Sequence, residues 1–301
     1  MLYPSVSVLL AVPRAGRLLP RIISALLLVF LGGCSAVKIG YNNAPSLAYW
    51  WLDGYIDFND AQSAQVRDSL AALQAWHRQN ELPVYAELLA QLQRLAPEAV
   101  TAEQTCAITT QVQRHVRRLG EQAAVGMARV APTLTPEQLR YLAHQFDKHN
   151  RDWREEWLDG TPQELLARRL KKAQERAESF YGRLDDTQRA ILRQSIASSA
   201  FDARVAWRER LRRQQDLLQV LQEHRNGDRP AHVQAEMLAL VQRQLESPDA
   251  DYRARFERML QDGCRNMAAL HNSTSAKQRR HLQDKLKGYE ADLRTLVAEK
   301  N

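Results

Sequence analysis

A recurring helix-start signal is the feature that most constrains the fold of this 301-residue chain. In each copy, a residue that can cap a helix stands three positions before Gln. The two side chains can each accept a hydrogen bond from the other's backbone amide. One related copy has Glu in place of Gln, and Ser247 followed by Pro248 is a further start signal, with Pro at the first helical position. The Gln copies begin at Thr101, Thr135, Asp185 and Ser275, and the Glu copy begins at Thr161.

These signals divide most of the chain into helices. Apolar residues in segment 60–80 recur at steps of three and four, as on one face of a helix. The chain has only 12 Gly and 11 Pro, too few for the many tight turns of a barrel or a sandwich. No segment alternates with period two. We therefore expect an all-α fold, either an antiparallel helical bundle or an array of helical hairpins. The predicted helices cover about 60–80, 83–95, 101–131, 135–157, 161–183, 185–225, 230–246, 248–271 and 275–299, with a break allowed near Ser198 and Ser199.

The N-terminal segment has the pattern of a secretory signal. Residues 1–33 contain no Asp or Glu and carry Arg14, Arg17 and Arg21, followed by the apolar run IISALLLVFL over 22–31. A basic stretch followed by a short apolar run and small residues is typical of exported proteins. Ten apolar residues are too few to cross a membrane as a stable helix.

The residues that close this segment are Leu31-Gly32-Gly33-Cys34. They resemble the bacterial lipoprotein box, in which the Cys is lipidated and becomes the mature N-terminus. The division expected is a signal peptide over 1–33, a lipidated Cys34 with its tether over 34–44, and a helical domain over 45–301. The alternative is an ordinary secretory signal beside a chance Cys. In enterobacterial lipoproteins an Asp after the Cys marks inner-membrane retention, so Ser35 implies the periplasmic side of the outer membrane.

Export also changes the charge balance and the chemistry of the cysteines. Removal of residues 1–33 lowers the net charge from +7 to +4. In the periplasm the expected anions are lipid head groups and cell-wall carboxylates, and nucleic acid is not an expected partner. Because that compartment is oxidising, Cys106 and Cys264 are expected to form a disulfide, with Cα atoms within about 7 Å. Two buried free thiols are the alternative.

Segment 45–58 is rich in aromatic residues and has two interpretations. In the first, the rings are core residues of a short helix and turn, as large rings usually are. Alternatively, they form an interfacial belt or a ligand platform beside the membrane anchor. The rings concerned are Tyr49, Trp50, Trp51, Tyr55 and Phe58.

A basic stretch in the predicted helix 185–225 is the candidate binding site. It could form an anion-binding groove for lipid A, for a phospholipid or for an acidic partner, since an Arg beside a Trp can stack on the ring. It could instead be a solvated helix face whose arginines pair with residues such as Glu209. In a third interpretation Trp207, with Trp153 and Trp157, is a buried anchor. The candidate residues are Arg204, Trp207, Arg208 and Arg212.

No signature of catalysis or of cofactor binding is present in the sequence. The GxSxG, HExxH, CxxC and Gly-rich phosphate-loop patterns are absent. His144, Asp147 and His149 fall short of a zinc site. Glu155 and Glu156 are adjacent on a helix and point about 100° apart, so they cannot by themselves flank one glycosidic bond. We expect a protein without a metal, a cofactor or an enzymatic activity.

Two resemblances to known families remain. LGGC at 31–34, YWWLDGYIDF at 49–58 and the segments 152–192 and 271–296 resemble an uncharacterised family of proteobacterial lipoproteins. That resemblance implies a helical lipoprotein and gives no mechanism. The leading hypothesis is therefore a lipid-anchored binding or structural protein that docks an envelope protein or an anionic lipid.

The second resemblance concerns the helix-start signals themselves. Val100 with the box at Thr101, and Leu134 with the box at Thr135, are similar to the LTxxQ motifs of the Spy and CpxP type of periplasmic chaperones and stress sensors. That similarity implies, as the alternative hypothesis, a holdase for unfolded envelope proteins. The simpler explanation is that LTxxQ is a capping box behind an apolar residue.

Overall fold

The computed structural model describes residues 36–225 and 229–299, and the predicted signal peptide and Cys34 lie outside them. The all-α prediction is confirmed, and no strand occurs in these two ranges. A single 3₁₀ turn, Ala131–Thr133, follows the longest helix. The helices are α1 Ala36–Asn42, α2 Ala44–Ile56, α3 Asp60–Asn80, α4 Leu82–Leu95, α5 Ala102–Val130, α6 Pro136–Trp157, α7 Pro162–Tyr181, α8 Asp186–Ala197, α9 Ala203–His224, α10 Pro230–Leu245, α11 Ala250–Asn272 and α12 Ala276–Ala298.

The five predicted capping boxes are confirmed, each with both reciprocal hydrogen bonds. A sixth, formed by Asn59 and Gln62, begins α3. The start signal at Ser247 and Pro248 is wrong in its position. Helix α11 begins two residues later, where the Asp249 carboxylate accepts the amides of Asp251 and Tyr252. Ser247 instead donates its hydroxyl to Glu209 at 2.9 Å.

The predicted helix 185–225 is two helices, and the break lies at the two serines. Ser198 donates its hydroxyl to the Gln194 carbonyl, and the Ser199 hydroxyl accepts the Phe201 amide. Asp202 then caps the new helix by accepting the amides of Arg204 and Val205. Short polar side chains that bond to the nearby backbone compete with a continuous helix.

The predicted tether over 34–44 is folded from Ala36 onward. Helix α1 occupies this stretch and is fixed to α3 by a hydrogen bond from the Gln74 side chain to the Tyr41 carbonyl at 2.5 Å. Arg78 of α3 donates to the Asn42 side chain at 2.8 Å. Specific polar contacts with α3, which local sequence does not encode, convert the expected linker into a docked helix.

Helix α5 is the central element of the array and packs against α3, α10 and α11. Helices α4 and α12 form the most extensive helix pair. The larger core lies around α5, α6, α9 and α10, and includes the fully buried Met237 and Leu240. A smaller core joins α7, α8 and α11 around Leu184 and Leu270.

Pairs of capping boxes join helices that are distant in sequence. Gln62 of the α3 box and Gln138 of the α6 box donate to each other's side-chain oxygens at 3.1 and 2.7 Å. Gln188 of the α8 box and Gln278 of the α12 box do the same at 2.8 and 2.9 Å. Each glutamine therefore completes its own helix start and also binds a second helix start.

The disulfide expected from the cysteine pair links α5 to α11. The Cα atoms of Cys106 and Cys264 lie 5.3 Å apart, and 158 positions separate them in sequence. Because α5 and α11 pack side by side, the bond reinforces an existing contact.

Candidate functional site

Helix α9 has a cleft on each of two faces. Positions 208 and 212 lie on one face, and positions 210, 214 and 217 lie on the other. Residues two positions apart in a helix point about 200° away from each other, so these two faces are nearly opposite. One cleft is rich in arginine and the other is apolar.

The arginine cleft lies between α9 and the first turns of α11 and has a volume of about 510 Å³. Arg208, Arg255 and Arg258 line it, and none of the three forms an ion pair with a described residue. Asp249 and Asp251 also line the cleft, so its charge is mixed. The arrangement leaves three guanidinium groups available to an anion, beside two carboxylates that would oppose it.

Arg212, the fourth arginine of this cleft, is already saturated by acidic partners. It binds both oxygens of Glu209, each at 2.9 Å, and it contacts Asp216 at 3.4 Å. Burial alone would raise the pKa of the Glu209 carboxyl. Hydrogen bonds from Arg212, Ser247 and Arg213 outweigh that effect and lower the pKa below its ordinary value. Arg212 therefore stabilises the fold around a buried carboxylate.

The structure separates the four candidate residues predicted from the sequence. Arg208 and Arg212 line the arginine cleft, whereas Arg204 is exposed outside it. Trp207 stacks on Trp153, with ring centroids 5.4 Å apart. The sequence-based reasoning missed Arg255 and Arg258, which lie about fifty positions away along the chain.

Trp207 belongs to a half-buried aromatic cluster between α6 and α9. Trp153 also stacks on Trp157, whose ring lies 5.5 Å from that of Phe201. Cations cover this cluster, with Arg169 4.8 Å from the Phe201 ring and Lys172 5.2 Å from the Trp157 ring. The rings are therefore already in contact with the protein's own cations, in agreement with the interpretation of these tryptophans as anchors.

The apolar cleft has a volume of about 560 Å³ and lies between α2, α3, α5, α6 and α9. Its lining is mostly aliphatic and aromatic, and its floor is the larger core, through residues such as Leu134, Leu142 and Leu221. Helices α3 and α5 approach closely here. A Cβ added to Gly126 would lie only 3.0 Å from the Ser69 Cβ. Open apolar clefts of this size are typical of ligand sites.

The charged residues that line the apolar cleft are all cations. Arg129 and Arg210 line it, and no Asp or Glu within the described ranges does so. Arg210 donates to the Asn150 side chain at 2.6 Å, and neither arginine forms an ion pair with any residue described here. The cleft thus combines an apolar lining with unneutralised positive charge.

The aromatic stretch over 45–58 is divided between the core and the surface. Tyr49 is buried, while Tyr55 and Phe58 pack against the larger core. Trp50 and Trp51 are 65% and 63% exposed. Tyr49, Tyr55 and Phe58 are therefore core residues, while Trp50 and Trp51 remain largely exposed to solvent.

A buried polar cluster that the sequence-based reasoning missed lies at the junction of α3 and α4. Glu81 is fully buried, and its carboxylate lies 2.7 Å from His115 and 3.3 Å from Arg118. Burial, reinforced by Glu81, raises the pKa of Tyr85 to about 12. The residue in the sequence that could have indicated this cluster is His77, which stands four positions before Glu81. Because these groups line none of the clefts described above, we assign them to stability.

Two further properties concern the described residues as a whole. Across 36–225 and 229–299, no group of three or more His, Cys, Asp or Glu is arranged to hold a metal ion. His149 lies 3.6 Å from Asp152, in a pair exposed to solvent. In the same ranges, no helix combines the length and the apolarity needed to cross a membrane.

Comparison with known proteins gives one match. The model of a family described as a family of unknown function (DUF6279) matches residues 54–253. No curated protein and no solved structure matches the chain.

Proposed function

The chain belongs to DUF6279, a family of unknown function, and we propose that it is a lipid-anchored binding protein on the periplasmic side of the bacterial outer membrane, without catalytic activity. The lipid would be attached at Cys34, which lies outside the described residues. Its partners would be the membrane, an envelope protein or an anionic lipid. The proposal starts from the sequence LGGC directly after a short apolar run.

An exposed apolar face on α2 is the geometric observation that carries the proposal. Trp50 and Trp51 lie three and four positions after Leu47, which places all three side chains on one side of the helix. They are 60%, 65% and 63% exposed. Tryptophan is enriched at membrane–water interfaces, and an apolar helix face adds area to a lipid anchor. Since α2 begins ten positions after Cys34, anchor and face would meet the same membrane.

Lipid labelling of three full-length chains tests the anchor and its destination. Wild type should incorporate labelled palmitate, and Cys34→Ser should lose the label and leave the membrane fraction. Ser35→Asp is the matched control, because it should keep the label while moving the protein to the inner membrane of an enterobacterial host. Label retained by Cys34→Ser would overturn the anchor, and an unchanged location of Ser35→Asp would overturn the outer-membrane assignment.

A periplasmic holdase is the second candidate, and the open apolar cleft is the observation that favours it. The other support is the resemblance of the boxes at Thr101 and Thr135 to LTxxQ motifs. Because these boxes cap helix starts, that resemblance is also explained without a holdase. In-cell cross-linking of the lipidated protein, followed by mass spectrometry, separates the two candidates. One or two discrete partners would support a dedicated binding protein, and a broad set of unrelated envelope proteins would support the holdase.

A further inference from the structure

The apolar cleft is the site whose composition is most specific for one kind of ligand. It has about 560 Å³ of space, an aliphatic and aromatic lining, and a floor formed by the main core. Trp51 belongs both to the cleft and to the exposed face of α2. The cleft therefore adjoins the exposed apolar face of α2 at this ring.

The charges at the cleft restrict the ligand further. Arg129 is exposed and Arg210 is half-buried, and both line the cleft without a carboxylate partner among the residues described. A cation beside an apolar surface favours an anion, because the charge-assisted hydrogen bond is stronger than one between neutral groups. Unfolded polypeptides carry charges of both signs, so this composition does not select them.

We propose that the apolar cleft binds one long-chain fatty acid, with its alkyl chain against the apolar lining and its carboxylate at the exposed Arg129. This inference deepens the proposed function by naming the ligand class of a binding protein at a membrane. The cleft volume of about 560 Å³ lies in the range of small-ligand sites and suits a single acyl chain. Each buried methylene adds to the affinity, so chain length should matter as well as charge.

The test uses the full chain carrying Cys34→Ser, because its own acyl groups cannot then compete for the cleft. A fluorescent polyene fatty acid serves as the probe, and unlabelled competitors displace it. Palmitate, below the concentration at which it forms micelles, should displace the probe. Hexadecanol and hexadecyltrimethylammonium have the same chain without the negative charge, so each should be weaker by about tenfold or more. A lysophospholipid arm distinguishes a free fatty acid from a lipid head group.

Three variants locate the binding. Arg129→Gln alters an exposed residue. It should weaken the binding of palmitate by about tenfold and have little effect on the binding of hexadecanol. Ala72→Trp, at an exposed position that lines the cleft, should block both ligands. Arg193→Gln is the matched control, because it removes an exposed arginine of α8 that lines neither cleft, and it should leave the affinity unchanged. Circular dichroism of each variant confirms that it is folded.

Several outcomes would overturn the inference. Equal affinity for palmitate and for the cationic amphiphile would show that charge does not select the ligand. Undiminished binding by Ala72→Trp would place the ligand elsewhere. Stronger displacement by a lysophospholipid or by an unfolded polypeptide would assign the cleft to that ligand. Since the test contains no anchor, its failure is separate from a failure of the labelling experiment on Cys34.

Discussion

Glutamine residues at helix starts have two tasks in this protein. Gln188 is 1% exposed and accepts the Asp185 amide, as a capping box requires. Its amide nitrogen also donates to the Ser273 carbonyl at 3.1 Å and to the Gln278 side chain. A short apolar side chain at this position would leave several buried polar groups without partners. Such groups are costly because they lose hydrogen bonds to water and gain none in the protein.

The contribution of a paired box can be measured against that of an unpaired one. Gln188→Ala should lower the free energy of unfolding by about 2–3 kcal/mol, because the helix cap and the link to α12 are both lost. Gln104→Ala alters an exposed box whose Gln side chain, among the described residues, bonds only to the Thr101 amide, and should cost about 1 kcal/mol or less. Urea unfolding of both variants gives the comparison. Equal losses would contradict the additional role of the pair.

Local sequence was sufficient to predict the boxes but not their pairing. A capping box needs residues three positions apart, so Thr135 and Gln138 identify it on their own. The pairs join positions that are 76 and 90 residues apart, and nothing near either glutamine indicates the other. The same limit applies to the arginine cleft, where Arg255 and Arg258 become neighbours of Arg208 only through the packing of α9 and α11.

At the scale of elements, His271 connects three parts of the array. It lies near the end of α11, and its Nδ1 is 2.9 Å from the Tyr181 hydroxyl oxygen of α7. Its Nε2 donates to the Glu98 carbonyl, in the loop after α4, at 2.9 Å. Because a carbonyl only accepts, Nε2 carries a proton, and in the neutral ring Nδ1 is then the acceptor. Burial lowers the pKa of His271, and Arg279 lowers it further against the Glu98 hydrogen bond.

This histidine predicts how stability depends on pH. Because the folded-state pKa of His271 lies below its ordinary value of 6.5, the unfolded chain binds the proton first as the pH falls. Stability should therefore be full above pH 6.5 and decline as the pH drops toward the folded pKa. Urea unfolding between pH 7.5 and about 5 measures the decline. His271→Gln should reduce the decline, with a remainder from His77, whose pKa burial also lowers, whereas the control His281→Gln should leave the decline unchanged. An unchanged decline in His271→Gln would contradict the assignment.

Sequence patterns located helix ends better than they located breaks and linkers. The start of α6 was predictable because Thr135 caps it and Pro136 follows. The interruption between α8 and α9 was only suggested, since Ser198 and Ser199 are also tolerated inside helices. Helix α1 was predicted to be a linker because the contacts that fix it are with α3 and α12, which lie far away in sequence.

At the scale of the whole molecule, the disulfide joins two parts of the chain that differ in their relation to the family. Cys106 lies inside the matched segment 54–253, and Cys264 lies beyond it. The bond therefore ties α11 to the centre of the matched segment through α5. Helix α12 is connected to the same centre by the Gln278 pair with Gln188.

Reduction of this bond should have a large effect on stability. Closing a loop of 158 positions restricts the unfolded chain, and the chain-entropy model gives about 5 kcal/mol. Urea unfolding with and without a thiol reductant measures the difference. The double variant Cys106→Ala/Cys264→Ala should be less stable than the oxidised protein and indifferent to reductant. A wild-type curve that reductant does not move would contradict the prediction.

The docking of α1 limits the distance that the helical domain could move away from the proposed lipid anchor. Seven helical residues span about 10 Å, whereas the same residues fully extended would span about 24 Å. Hydrogen bonds to Tyr41 and Asn42 hold that shorter length. A protein attached in this way would have a small working radius and a preferred orientation. It would meet its ligands by lateral diffusion along the membrane rather than by reaching across the periplasmic space.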